Sequence, residues 1–148
     1  MNSRLLAIAL AIVNLSGPTL AGTPHGTLYK ERNCPCCEGH ARYLKENGIT
    51  IDVQTVDDIA AVSKGAGIPS NYQGCHTIVF DGYGYVVEGH VSAELIRNLL
   101  KQHPADLVGI SIPGMPADVP GMAGPNQDAP VTVYAIKKDG TASVYATQ

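Results

Sequence analysis

Three cysteines stand within four residues near the start of the chain, in the segment Cys34-Pro35-Cys36-Cys37. Cys34 and Cys37 have the C-x-x-C spacing, and the segment lies between a predicted strand and a predicted helix. A helix N-terminus favours thiolate over thiol, because its free N–H groups stabilise negative charge. Cys36 and Cys37 are poor disulfide partners, because the ring between adjacent residues is strained. The segment therefore indicates either a redox-active thiol pair or a metal site with several thiolate ligands.

A fourth cysteine, Cys75, stands at the predicted start of a later strand. In a thioredoxin-like arrangement the loop that enters the third strand passes close to a C-x-x-C at the first helix. We therefore expect Cys75 to join Cys34, Cys36 and Cys37 in one cluster. The alternative is a buried strand cysteine that only fills space.

Further side chains are candidate secondary ligands: His40, His76, His90, Met115 and Met122. His40 lies one helical turn after Cys37 and could reach the cluster. Strand alternation, in contrast, points the side chain of His76 away from Cys75. For His40 and His76 a structural role is the more common one, whereas His90 is as readily a structural or loop residue as a ligand. Both methionines stand in a Pro-Gly-Met sequence, where they offer either a soft thioether ligand for Cu(I) or an apolar packing group.

The number and spacing of the cysteines bear on which metal is bound. A structural Zn²⁺ site usually draws its four ligands from two knuckles, and only one is present here. The usual ferredoxin spacings are also missing. Cu(I) prefers few, soft thiolate ligands, which suits crowded thiols. We therefore favour Cu(I), with two alternatives: a thiol–disulfide oxidoreductase that uses Cys34 and Cys37, with Cys36 or Cys75 resolving, and a Zn-stabilised structural or partner-binding module.

The pattern of apolar residues predicts the elements that position these side chains. Alternation predicts strands at 27–30, 49–56, 75–80 and 85–88 and a C-terminal hairpin at 131–136 and 143–145. Helical spacing and capping residues predict helices that begin near Cys36, at Asp57 or Asp58, and at Ser92. After His103-Pro104 the chain becomes an irregular loop rich in proline and glycine. This order predicts a single α/β domain on a small mixed sheet.

Length, charge and the N-terminal segment exclude several classes of protein. The 148 residues suffice for one domain with its own core, and a formal net charge of −3 does not fit a nucleic-acid-binding protein. Residues 1–21 read as a secretory signal peptide, in which Arg4 precedes a short apolar run and small residues precede the cleavage site. The mature domain is then 22–148, with no membrane span after cleavage and with its thiols outside the reducing cytosol.

Four sequence blocks together resemble a known family. They are Asn33-Cys34-Pro35-Cys36-Cys37, Gly74-Cys75-His76-Thr77, Glu88-Gly89-His90-Val91, and Pro113-Gly114-Met115-Pro116 with Pro120-Gly121-Met122. In this order they resemble the CopG-like family of exported bacterial copper-resistance proteins. The resemblance implies a thioredoxin-like fold and a thiolate-bridged copper cluster, held by the four cysteines. The family often has Gly where this chain has Pro35, and proline removes one N–H that could bond to sulfur.

These observations lead to one functional prediction. The protein is expected to be a periplasmic copper-binding protein of copper resistance, with Cu(I) on Cys34, Cys36, Cys37 and Cys75 in a site that can be multinuclear. A copper oxidoreductase activity that cycles the redox state is a further expectation. The expected partners are copper ions and other periplasmic copper-handling proteins. We expect the loop at 113–124 to lie over the cysteines, with Met115 the closer of its two methionines.

Overall fold

The computed structural model describes residues 22–122 and 129–148. The predicted signal peptide, residues 1–21, lies outside the described residues, as do positions 123–128 of the proline- and glycine-rich loop. Within the described ranges, none of the helices has both the length and the apolar character needed to cross a membrane.

Helices are interspersed among the strands along the first two thirds of the chain, and strands alone follow. The strands are β1 (His25–Glu31), β2 (Thr50–Val56), β3 (His76–Phe80), β4 (Tyr85–Glu88), β5 (Leu107–Ser111), β6 (Thr132–Lys137) and β7 (Ala142–Thr147). The helices are α1 (Pro35–Glu46), α2 (Ile59–Gly65) and α3 (Ala93–Gln102), with a short 3-10 turn at Ser70–Tyr72. The predicted caps are confirmed, because the side chains of Asp58 and Ser92 accept hydrogen bonds from backbone N–H groups of α2 and α3.

These strands form one mixed sheet in the order β2-β1-β3-β4-β5-β6-β7. The β1–β2 and β4–β5 pairs are parallel, and the other neighbours are antiparallel. Parallel neighbours need a crossover connection, which α1 and α3 provide. The predicted α/β class, mixed sheet and C-terminal hairpin are confirmed. The thioredoxin-like assignment stays a prediction, since it rests on the family resemblance.

The prediction that the chain is irregular from Pro104 onward is wrong at β5. Gly109 interrupts the pattern there, and the pairing of β5 with β6 shifts register between Leu107 and Gly109. A Cβ atom on Gly109 would overlap the carbonyl group of Val86 on β4. Gly109 therefore interrupts the strand pattern in the sequence, and it is also the residue that lets the backbones of β4 and β5 approach closely.

The main core lies between the sheet and the two crossover helices. Leu44 of α1 and Ile96 and Leu99 of α3 are fully buried and belong to one cluster with Leu28 and Ile78 of the central strands. Burial of these side chains fixes both helices against the sheet. The N-terminus of α1 is thereby placed beside the chain that enters β3, which is where the candidate ligands meet.

Candidate metal centre

Helix α1 positions three of the four cysteines at its N-terminus. Cys34 is the N-cap residue, and Cys36 and Cys37 belong to the first turn. Pro35 occupies the first helical position, where the missing N–H has no partner to lose and the fixed φ angle suits the helix. The departure from the family pattern at this residue is therefore compatible with the helix.

Lys30 ties the loop before Cys34 to α1. Its ammonium group lies 3.0 Å from the carboxylate of Glu38 and donates to the carbonyl oxygens of Glu31 and Arg32 at 3.3 Å. The lysine is only 3% exposed, so these contacts replace its water. Cys34 itself makes no side-chain capping bond. The contacts of Lys30 therefore hold the backbone that leads into Cys34.

The predicted cluster of cysteines is confirmed as a geometric fact. The four sulfur atoms all lie within 4.8 Å of one another, and Cys34 Sγ is 3.3 Å from Cys36 Sγ. Cys34 and Cys37 form a disulfide across a Cα–Cα distance of 5.4 Å, so Cys36 and Cys75 are the free thiols of this state. Metal binding by the four cysteines stays a prediction.

Backbone contacts hold Cys75 beside α1. The preceding residue, Gly74, pairs with Gly114 of the long loop and donates its N–H to the carboxylate of Glu88 at 2.9 Å. Cys37 Sγ lies 3.4 Å from the carbonyl oxygen of Cys75. Burial raises the pKa of the Cys75 thiol to about 12, and the neighbouring Cys36 adds to the rise. In the metal-free protein Cys75 is therefore a thiol at neutral pH.

His40, His76 and His90 form a buried cluster directly behind Cys75. Their ring centroids lie 4.7 to 4.9 Å apart, and none of the three is more than 2% exposed. Burial lowers the pKa of His40 to about 3 and that of His76 well below its ordinary value, and contacts among the rings add to both shifts. Burial also lowers the pKa of His90. All three rings are therefore neutral at neutral pH.

The prediction that His76 points away from Cys75 is wrong. His76 Nδ1 lies 3.3 Å from Cys75 Sγ. Strand β3 begins at His76, so Cys75 precedes the strand and the alternation rule does not relate the two side chains. The sulfur of Cys75 and one nitrogen each of His76 and His90 lie within 4.8 Å of one another. These three residues therefore form a second donor group, and Cys75 belongs both to this group and to the cysteine cluster.

In the part of the chain that the structure describes, His90 has one ring nitrogen with a hydrogen-bond partner and one without. Its Nδ1 lies 2.7 Å from the carbonyl oxygen of Pro120, which can only accept a hydrogen bond. In the neutral ring Nδ1 therefore carries the hydrogen, and Nε2 presents a lone pair. Among the described residues, His90 Nε2 is the one buried side-chain nitrogen or oxygen without a hydrogen-bond partner. A buried acceptor beside a thiol fits a ligand that binds a metal ion.

His40, by contrast, belongs to neither donor group. Its Nδ1 lies 2.9 Å from His76 Nε2, and its Nε2 lies 2.9 Å from the carbonyl oxygen of Val91. Both ring nitrogens already have partners inside the protein. The structure therefore places His40 next to His76, another candidate ligand, rather than next to the sulfur atoms.

The described part of the long loop lies next to the site. Gly114 pairs with Gly74, and a Cβ atom on Gly39 of α1 would overlap the carbonyl oxygen of Gly121. Met115 is 64% exposed, whereas Met122 is partly buried against the core that also contacts the cysteines. The shielding role of the loop, and the expectation that Met115 is the closer methionine, stay predictions.

Glu88 is a buried acid that the sequence analysis did not single out. It is fully buried, and its carboxylate accepts hydrogen bonds from Ser63, Thr77 and the N–H of Gly74 at 2.9 to 3.1 Å. Burial raises the pKa of Glu88 to about 7, although these hydrogen bonds oppose the rise. A charged residue at the end of the apolar strand β4 was the available signal.

Comparison with known proteins gives one consistent result. Two solved structures of the copper resistance protein CopG, forms 1 and 2, match with 35% identity and a TM-score of 0.75. Each match covers 84% of this chain, and it covers 97% of form 2 and 96% of form 1. The family described as "Protein of unknown function, DUF411" matches residues 72–122, and no match was found among curated proteins. Since the likeness extends over nearly the whole length of both structures, this chain belongs to the family of the CopG copper resistance proteins.

Proposed function

We propose that this protein binds Cu(I) as its cargo in the periplasm, at a centre that joins the two donor groups. Cys34, Cys36, Cys37 and Cys75 would supply the sulfur ligands, and His76 and His90 would add nitrogen ligands. The observation that carries the proposal is that Cys75 Sγ belongs to both groups. A thiolate with donors on both sides is suited to bridge two copper ions.

The donor set supports copper more strongly than zinc. Thiolate sulfur and neutral imidazole bind both Cu(I) and Zn²⁺, but one Zn²⁺ ion would need only four of the six donors, whereas crowded soft thiolates suit Cu(I). Two sulfur ligands at ~2.3 Å from one ion lie at most ~4.6 Å apart. The four sulfur atoms lie within 4.8 Å of one another, so only a small adjustment is needed once the Cys34–Cys37 disulfide has been reduced. The relatives are named copper resistance proteins, which supports the same metal.

A second function, copper reduction, is favoured by the Cys34–Cys37 disulfide within the donor cluster. In that step the two S–H bonds of Cys34 and Cys37 break, the S–S bond forms and two protons leave to solvent. The two electrons pass to two Cu(II) ions, each of which becomes Cu(I). A dithiol donor of the periplasm would then reduce the disulfide by exchange.

The periplasmic location is inferred from the signal-like residues 1–21 and from the thiol chemistry. A thiol pair that alternates with a disulfide is suited to a compartment where disulfides persist. Expression of the full chain, followed by cell fractionation and mass measurement, tests this inference. We expect a periplasmic product that begins at Gly22, and a cytoplasmic product that keeps the leader would overturn the export proposal.

Metal titration tests the binding proposal. The periplasmic protein is reduced, stripped of metal under anaerobic conditions and titrated with Cu(I) against a calibrated chelator. We expect more than one Cu(I) ion per chain, with Zn²⁺ displaced by Cu(I). Stoichiometric Zn²⁺ retained in excess Cu(I) would overturn the proposal in favour of a Zn-stabilised module.

Thiol counting tests the reduction step. Cu(II) is added to the reduced protein without oxygen, and Cu(I) and free thiols are then measured. We expect two thiols lost for every two Cu(I) ions formed. The Cys34→Ser variant should still bind Cu(I) but lose this stoichiometric reduction. If it reduces Cu(II) as fully as the unchanged protein does, the thiol pair is not the electron source.

A further inference from the structure

We propose that His40 is a positioning residue, which determines the nitrogen of His76 that is free to bind copper. This inference rests on the proposed function, because it assigns a role to His40 through a ligand of that site. It is carried by a chain of contacts that runs from the Val91 carbonyl through His40 and His76 to Cys75.

The first link fixes the hydrogen on His40. His40 Nε2 lies 2.9 Å from the carbonyl oxygen of Val91. A carbonyl oxygen only accepts hydrogen bonds, so Nε2 carries the hydrogen. The ring is fully buried and therefore neutral, which leaves His40 Nδ1 as an acceptor.

The second link passes this constraint to His76. The distance from His40 Nδ1 to His76 Nε2 is 2.9 Å, so His76 Nε2 must donate. The neutral ring of His76 then has no hydrogen on Nδ1, which lies 3.3 Å from Cys75 Sγ. The opposite tautomer would place two lone pairs against each other between the rings. It would also put a hydrogen where a metal ion must bind.

His90 shows the same principle with one link fewer. Its Nδ1 donates directly to the Pro120 carbonyl, which leaves Nε2 free. His76 Nε2 faces a side chain instead, so its tautomer depends on His40. Metal-binding histidines commonly donate their second N–H to such a partner, which fixes the ring and raises its basicity. His40 fulfils this role for His76.

Two substitutions separate positioning from packing. In His40→Asn the side-chain oxygen can replace Nδ1 as the acceptor for His76. His40→Leu fills much of the same space but offers no acceptor. In His40→Leu we expect a loss of about 10- to 100-fold in Cu(I) affinity, measured by competition with a calibrated chelator. His40→Asn should stay within about threefold of the unchanged protein, because it restores the acceptor.

A spectroscopic measurement reports the tautomer independently of copper. Long-range ¹H–¹⁵N spectra of the metal-free, reduced protein distinguish a protonated from a bare ring nitrogen. We expect His76 to carry its hydrogen on Nε2 in the unchanged protein and in His40→Asn, but to lose this preference in His40→Leu. Hydrogen on Nδ1 of His76 in the unchanged protein would overturn the inference, even if His40→Leu failed to fold.

The outcomes also separate this inference from the proposed function. If the unchanged protein binds no Cu(I), the proposed function fails, while the spectra still decide how His40 acts on His76. If Cu(I) binds and His76→Ala keeps the full affinity, His76 is not a ligand and the inference is overturned. Unchanged affinity and tautomer in His40→Leu would overturn it as well.

Discussion

The two donor groups share Cys75, yet they are held in opposite ways. Cys34 and Cys36 lie partly exposed at a helix N-terminus, where Cys34 forms a disulfide with Cys37. His76 and His90 are buried, and the second nitrogen of each ring is engaged by a partner within the protein. In the proposed function the cysteine cluster would change its ligands with oxidation, whereas the buried histidines would keep their positions.

With these two arrangements, one centre could combine redox change with retention of metal. In the disulfide state the thiols of Cys36 and Cys75 remain, beside the nitrogens of His76 and His90. Reduction adds the thiols of Cys34 and Cys37 to these donors. The buried histidines would therefore hold copper while the cysteine cluster gains or loses ligands.

The largest effect should follow from removal of the shared ligand. We expect Cys75→Ala to weaken Cu(I) binding by more than about 100-fold, which exceeds the usual cost of losing an outer partner of a metal ligand. Cys36→Ala and His90→Ala each damage only one group and serve as matched controls. Chelator competition on the reduced proteins measures all three. If Cys75→Ala binds no worse than the controls, Cys75 does not join the two groups.

The second prediction concerns the oxidation state of the Cys34–Cys37 pair. We expect the disulfide form to bind at least one Cu(I) ion fewer per chain than the reduced form, because thiolate is the metal-binding form of cysteine. Anaerobic titration of both forms, with thiol counts before and after, measures the difference. The Cys34→Ser variant cannot form this disulfide, so the same oxidative treatment should leave its capacity unchanged. Equal capacity of both forms would show that Cys34 and Cys37 are not ligands.

The same contrast explains what the sequence could predict. The approach of Cys75 was expected only from a thioredoxin-like arrangement. Cys34, Cys36 and Cys37 were predictable because their signals are local: a short cysteine motif, a proline at the first helical position and helical spacing. The histidine cluster was not, because His40 lies on α1, His76 begins β3 and His90 follows β4. Only the sheet order brings these three together, and no local pattern encodes that order. Strand β5 was missed for a local reason, because Gly109 interrupts its pattern.

A third prediction tests the polar support behind Cys75. Glu88 has a pKa of about 7 in the fold, against 4.5 as its ordinary value, so the folded state binds the proton more tightly. The stability from this group is complete below pH 4.5 and is lost as the pH rises to about 7. Relative to Glu88→Gln, the unchanged protein should lose up to about 3 kcal/mol of unfolding free energy over this range.

Urea unfolding of both metal-free, reduced proteins at a series of pH values measures that loss. The buried histidines, with lowered pKa values, favour the fold increasingly as the pH rises toward 6.5. They are present in both proteins, so their contribution cancels in the difference. A difference that stays flat from pH 4 to pH 8 would show that Glu88 does not hold its proton in the fold.

The smallest effects should come from the loop methionines. Met115 follows Gly114, whose backbone pairs with Gly74 beside Cys75. The thioether of Met115 can therefore supplement the cysteine ligands. We expect Met115→Leu to weaken Cu(I) binding by about threefold, equivalent to ~0.7 kcal/mol, and to speed air oxidation of the bound site. Its effect on folding stability should stay below ~0.5 kcal/mol, because the side chain is 64% exposed.

Two further variants show whether the sulfur atom matters. Met122→Leu nearly conserves the volume of a partly buried side chain, so we expect a loss of stability below ~1.5 kcal/mol and no change in copper affinity. Val144→Ala alters an exposed apolar residue on β7 and controls for surface change. If Met115→Leu matches Val144→Ala in copper affinity and oxidation rate, the thioether is not a ligand. The cysteine and histidine ligands would then all lie outside the loop. The loop would contribute to the site only through backbone contacts, such as that between Pro120 and His90.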